Sequence, residues 1–84
     1  MTYFDLTPTA VRETALGLMR TGGTTTTLDV KAALRAQGFW AEQAEVSDAM
    51  DALAQAHGWL WLSNGTFRTY ALAAGAMARH AQSN

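Results

Sequence analysis

Glu42, Glu45, Asp48 and Asp51 recur at intervals of three, and carboxylates so spaced could do acid–base chemistry, bind a cation or meet a basic partner. At about 100° per residue on a helix they drift around the axis instead of converging, and they lack the alternating loop spacing of a calcium site. His57 and His80 are the two imidazoles, and no second His or Cys stands at metal-ligand spacing. His57 falls on the apolar meridian at the end of its helix, where it can satisfy the last carbonyls, so a structural role is expected of it. None of the three serines, Ser47, Ser63 and Ser83, has a neighbouring His with an orienting carboxylate at a recognisable spacing. Gly22-Gly23 reads as a helix stop and not as a phosphate-cradling loop. The expectation is a protein that is not an enzyme, with no catalytic residues, metal, cofactor or small-molecule substrate.

The elements that must position these groups are punctuated by local signals. Thr7-Pro8 opens a first helix, with Thr7 as cap and Pro8 at the first helical position, where its missing N–H would have no partner anyway. Val11, Ala15, Leu18 and Met19 form its apolar face, and Leu16 lies off that face toward a second packing layer. Residues 24–27 are β-branched threonines and predict a short strand. A second helix is capped by Thr26 or Thr27, has Asp29 in its first turn, and turns Val30, Ala33 and Leu34 inward and Lys31 and Arg35 outward until Gly38. Phe39-Trp40 connect to a third helix over about residues 41–57. There Val46, Ala49, Met50, Leu53 and His57 share one face, with Asp48, Asp51 and Gln55 opposite.

Asn64-Gly65 between two apolar runs predicts a hairpin, because both residues tolerate the positive φ of a two-residue type I′ turn. That turn sets Ser63 against Thr66, Leu62 against Phe67, Trp61 against Arg68 and Trp59 against Tyr70. Alternation then puts Trp59, Trp61, Arg68 and Tyr70 on one side and Leu60, Leu62 and Phe67 on the other, which is the side expected to enter the core. After Leu72, residues 73–84 read as a weak helix with a frayed polar end, which could cover the aromatic side.

With 84 residues the chain is expected to be one domain, residues 1–84, with its core over about residues 8–72. Apolar residues at 49% against 15% charged give a globular balance. No cysteine is present, so packing alone must hold it together. No apolar run is long enough for a membrane span, and Met1-Thr2-Tyr3-Phe4-Asp5 lacks the basic region of a secretory signal, so a cytoplasmic location is the default expectation. Six Lys+Arg against seven Asp+Glu give a net charge of −1, which withholds the broad positive footprint of a nucleic-acid binder.

The order helix, short strand, helix, helix, hairpin resembles the winged helix-turn-helix superfamily, and Glu45-Val46-Ser47-Asp48-Ala49-Met50-Asp51-Ala52-Leu53 looks like its recognition-helix pattern. The resemblance spans about residues 8–72 and implies an α+β fold of three helices, a short strand and a two-stranded β-hairpin wing. It further implies transcription regulation through double-stranded DNA, with the third helix in the major groove and the wing on phosphates or in the minor groove, and with so few cations the binding expected is weak or dimeric. The matching positions are Gln43, Glu45, Ser47 and Asp48 on the helix and Arg68 on the wing, joined by Lys31 and Arg35 as the other phosphate contacts. The third helix departs from that pattern, since it carries Glu42, Glu45, Asp48 and Asp51 and no basic residue, and carboxylates near phosphates are repelled.

A second reading keeps the same frame and gives it a protein partner, or a second copy of itself. Its contacts would be Asp48 and Asp51 on the acidic helix, or Trp59, Trp61 and Tyr70 on the hairpin. The competing use of those aromatics is to pack beneath the first helix or the C-terminal segment of a chain short of core. Arg68 opposite Trp61 reads as a cation–π pair.

Overall fold

A computed structural model describes residues 2–73 as an α+β domain of three helices and a three-stranded antiparallel sheet. In chain order these are α1 (Pro8–Gly22), β1 (Thr24–Thr26), α2 (Thr27–Ala36), α3 (Gln43–His57), β2 (Leu60–Ser63) and β3 (Arg68–Ala71). The weak helix read over residues 73–84 lies, from residue 74 on, outside those described.

The local punctuation acts as its chemistry dictates. The Thr7 hydroxyl accepts the Ala10 N–H at 3.1 Å and Pro8 opens α1, which ends where the Gly23 N–H donates to the Met19 carbonyl at 2.8 Å. Thr26 caps α2 by accepting the Asp29 N–H at 3.1 Å. Gly58 ends α3 in the left-handed conformation at φ 67°, with its N–H on the Ala54 carbonyl. α3 starts at Gln43 and not near residue 41, because Ala41 is tied into the preceding connection, its carbonyl accepting from Arg35 Nε at 2.8 Å.

The core is built from Val11, Ala15 and Met19 of α1, Val30 and Leu34 of α2, and Val46, Met50 and Ala54 of α3, closed by Ala41, Trp59 and Tyr70. Leu16, Leu18, Ala49 and Leu53 pack around it partly buried. His57 leaves the expected buried face: residues at i, i+4 and i+8 from Val46 make the seam, and the exposed imidazole lies instead against the Trp59 ring, with centroids 5.9 Å apart.

The sheet order is β1-β3-β2, so the threonine strand joins the hairpin and β3 lies between two neighbours. Leu60 pairs with Ala71, Trp61 with Tyr70, Leu62 with Thr69 and Ser63 with Arg68, one residue further along each strand than an Asn64-Gly65 turn requires. The turn is instead centred on Gly65-Thr66. Asn64 Oδ1 accepts the N–H groups of Thr66 at 2.9 Å and Phe67 at 2.8 Å, and Gly65 alone takes the positive φ, 91°. An asparagine that caps the turn with its side chain does so from the position before the glycine, and the register moves accordingly.

A shift of one residue on each strand leaves every side chain on its expected face, but the core takes Trp59 and Tyr70 from the aromatic side, the competing use of those rings, and not the leucines. Tyr70 is fully buried and Trp59 nearly so, whereas Leu62 is 79% exposed and Leu60 and Phe67 about half exposed. The aromatic side is inside because the room beneath the helices suits a Tyr ring whose hydroxyl finds a helix carboxylate, a partner that leucine could not use.

One contact has no counterpart among the expectations. The Phe4 N–H donates to the Gly38 carbonyl at 2.8 Å and the Trp40 N–H to the Phe4 carbonyl at 2.9 Å, so the segment before α1 bridges to the α2–α3 connection. Phe4 packs on Phe39 and Tyr3 on Trp40, with centroids 5.7 and 5.2 Å apart.

Candidate functional site

Two surfaces collect the residues that could do something. The first is a polar cleft of about 260 Å³ where the start of α2, one face of α3 and the hairpin turn converge. Gln43, Ser47 and Asp51 line it from α3, being four residues apart and therefore on one helical row. Ser63, Thr66, Phe67 and Arg68 line it from the hairpin.

Asp51 governs the inner end of this cleft. Its Oδ1 accepts from the Arg68 guanidinium and, at 2.9 Å, from the Tyr70 hydroxyl. The Arg68 guanidinium is held above its ordinary pKa by the Tyr70 hydroxyl and then by the Asp51 carboxylate. Burial, followed by donation to Asp51, pushes the Tyr70 hydroxyl above its ordinary value, because an ionised phenol would lose both water and its acceptor. Arg68 also lies 4.7 Å over the Trp61 ring, so the cation–π pair exists, reached diagonally because Trp61 stands directly opposite Tyr70.

Of the residues expected to touch DNA, the structure brings Gln43, Ser47 and Arg68 together in the cleft. Glu45 points elsewhere, lining a hollow with Leu6, Pro8 and Val11 at the start of α1. Asp48 is exposed. Lys31 and Arg35 do not line the cleft: Lys31 is half-buried on α2, and Arg35 is committed to the Ala41 carbonyl and to the Trp40 ring 5.1 Å beneath it.

Among the residues expected to meet a partner, Trp59 and Tyr70 are corrected by their burial, since a side chain closed into the core offers no contact surface. Asp51 is occupied by Arg68 and Tyr70 and does not stand on a free acidic face. Asp48 and Trp61 stay accessible, Trp61 at 51%.

The second surface is the outer side of the sheet, the leucine side that strand alternation alone would send to the core. Leu60, Leu62, Thr69, Ala71 and Thr24 form a shallow apolar hollow with the edge of Trp61. β2 is an edge strand, with β3 on one side only among the described residues. The available signal was the strict alternation Leu60-Trp61-Leu62, which marks two apolar faces on one short strand when a small domain can bury only one of them.

Among the described residues no group of three or more acidic or imidazole side chains could hold a metal ion, and no helix is long and apolar enough to cross a membrane. Comparison with protein-family models, curated proteins and solved structures finds no match to this chain.

Proposed function

We propose that this chain is a protein-interaction module on a winged-helix frame, which docks a polypeptide partner on the edge and outer face of β2. The winged-helix reading is supported by the order α1, β1, α2, α3, β2, β3 together with the sheet order β1-β3-β2, in which β2 and β3 are the wing. The observation that carries the functional reading is the exposure of Leu60 and Leu62 together on the outer face of an edge strand, with Trp61 half exposed on its other face. Apolar side chains so grouped next to backbone donors and acceptors that are unpaired among the described residues suit strand addition, where main-chain bonds give affinity and side chains give selectivity.

Electrostatics favours a protein over DNA. Arg68 is paired with Asp51, Arg35 is held in the α2–α3 connection, and the exposed Asp48 projects from the helix that would enter the groove, which leaves Lys31 of the three expected phosphate contacts. Few phosphates could be neutralised, which removes the counterion-release term behind most DNA affinity. The regulatory DNA-binding reading keeps one supporting observation, the cleft that gathers Gln43, Ser47 and Arg68 between α3 and the wing.

Leu60→Lys with Leu62→Lys should abolish capture of the partner while thermal unfolding stays cooperative. If the double variant recovers the same proteins as wild type, β2 is not the contact. Salt-sensitive binding to duplex DNA at ~50 mM salt, weakened by Arg68→Ala, would return the DNA reading to first place.

A further inference from the structure

We propose that the occupant of the β2 edge is a second copy of the chain, paired antiparallel so that Leu62 meets its counterpart on a two-fold axis; this rests on the interaction-module reading above. Asn64 N–H donates to the Phe67 carbonyl at 3.1 Å, which marks that opposed pair as hydrogen-bonded. Bonded and non-bonded pairs alternate along an antiparallel ladder, so Leu62 and Leu60 turn their backbone groups to β3. Trp61 and Ser63 therefore direct their N–H and C=O groups to the open edge.

Two copies satisfy all four groups of each strand in one register, Trp61 against the partner's Ser63 and Ser63 against the partner's Trp61. Leu62 then faces the partner's Leu62 as a non-bonded pair, the closer kind, at about 4.5 Å between Cα atoms. Leu60 falls opposite the partner's Asn64, next to the partner's Phe67 on the same face. The arrangement is closed and self-complementary, as a two-fold dimer must be.

Charge permits it. Leu60-Trp61-Leu62-Ser63 holds no charge and no proline, the usual devices that protect an edge from pairing, and the nearby Arg68 is already matched by Asp51. The available area also fits. Leu60, Trp61, Leu62 and Phe67 are each at least 45% exposed. From two copies, at on the order of 100 Å² for each of Leu60, Trp61 and Leu62, the strand side chains supply roughly 600 Å² toward the ~1,000 Å² that a specific interface clears, and the strand backbone and turn add to it.

The register gives a sharp test, because the chain has no cysteine. Sedimentation of the full chain should give a concentration-dependent dimer. Under mild oxidation Leu62→Cys should form a disulfide dimer and Leu60→Cys should not, since the two Leu60 positions lie four residues out of register while a disulfide needs Cα atoms within about 7 Å. Ser63→Pro removes one outward N–H and no bond to β3, but also the hydroxyl that accepts the Gly65 N–H at 3.3 Å; measured against Ser63→Ala, which loses only that hydroxyl, it should weaken association about tenfold. A monomer at every concentration, or equal cross-linking at both cysteines, overturns the proposal. A monomeric wild type whose captured partner is still lost on Leu60→Lys with Leu62→Lys would overturn self-pairing alone and leave the interaction-module reading standing; a partner retained by that variant would overturn the module reading.

Discussion

The Tyr70 hydroxyl donates to Asp51 Oδ1 at 2.9 Å, and with the Arg68–Asp51 ion pair it ties the middle strand of the sheet to α3. It explains why the aromatic side of the hairpin is the buried one, and why a carboxylate on the outside of an amphipathic helix is not free to meet a partner. Asp51→Ala leaves the buried Tyr70 hydroxyl without its acceptor and should cost about 1–3 kcal/mol in urea unfolding. In the Tyr70→Phe background the same change should cost markedly less, because the hydroxyl is gone; equal costs in both backgrounds would show that the bond contributes nothing.

Alkaline pH should expose the same contact. The Tyr70 pKa is raised above its ordinary value of 10.0 in the folded state, so the folded protein keeps the proton that the unfolded chain gives up first. The stability this contributes is complete below pH 10.0 and is lost as pH rises through the folded-state value. Urea midpoints measured from about pH 8 upward should fall more steeply for wild type than for Tyr70→Phe. Parallel curves would remove Tyr70 as the cause.

Thr25 is buried directly opposite Tyr70 in β1, and its Oγ1 has no hydrogen-bond partner among the described residues. Thr25→Val keeps the shape and the strand preference and removes the unpaired hydroxyl, so stability should rise by about 1 kcal/mol. A loss of stability would mean that the hydroxyl is satisfied in solution.

Asn64 serves the turn through its side chain and Gly65 through its backbone. Asn64→Ala removes the acceptor of two N–H groups and should cost about 1 kcal/mol. Gly65→Ala forces a Cβ onto a residue at φ 91° and should cost about 1 kcal/mol as well. Were the turn of the Asn64-Gly65 type, Asn64→Gly would be harmless; here it should destabilise as Asn64→Ala does.

Helix limits were legible wherever one residue type acts on its neighbours, as at Thr7-Pro8, Gly22-Gly23 and Thr26. The register of the hairpin was not, because Asn64 can supply a left-handed backbone or a side-chain acceptor, and both uses suit Asn-Gly. Nor was the clasp of Tyr3 and Phe4 on Phe39 and Trp40, a pairing of two short aromatic segments with no periodicity to announce it. Within the cleft, Gln43, Ser47 and Asp51 could be placed on one helix face by spacing, whereas the meeting of that face with Arg68 depends on how the sheet packs.

The amino-acid sequence by itself determined the three helices, the threonine strand, the hairpin and the alternation of its side chains, because caps, glycine stops and periodicity act over one to four residues. Only the tertiary structure decided which face of the hairpin is inside, and with it the exposure of Leu60 and Leu62 and the capture of Arg68 by Asp51. Both faces of β2 are apolar, so transfer energy alone does not choose between them. The choice falls to the fit of Trp59 and Tyr70 beneath the helices and to the acceptor on α3, Asp51, that the buried Tyr70 hydroxyl reaches.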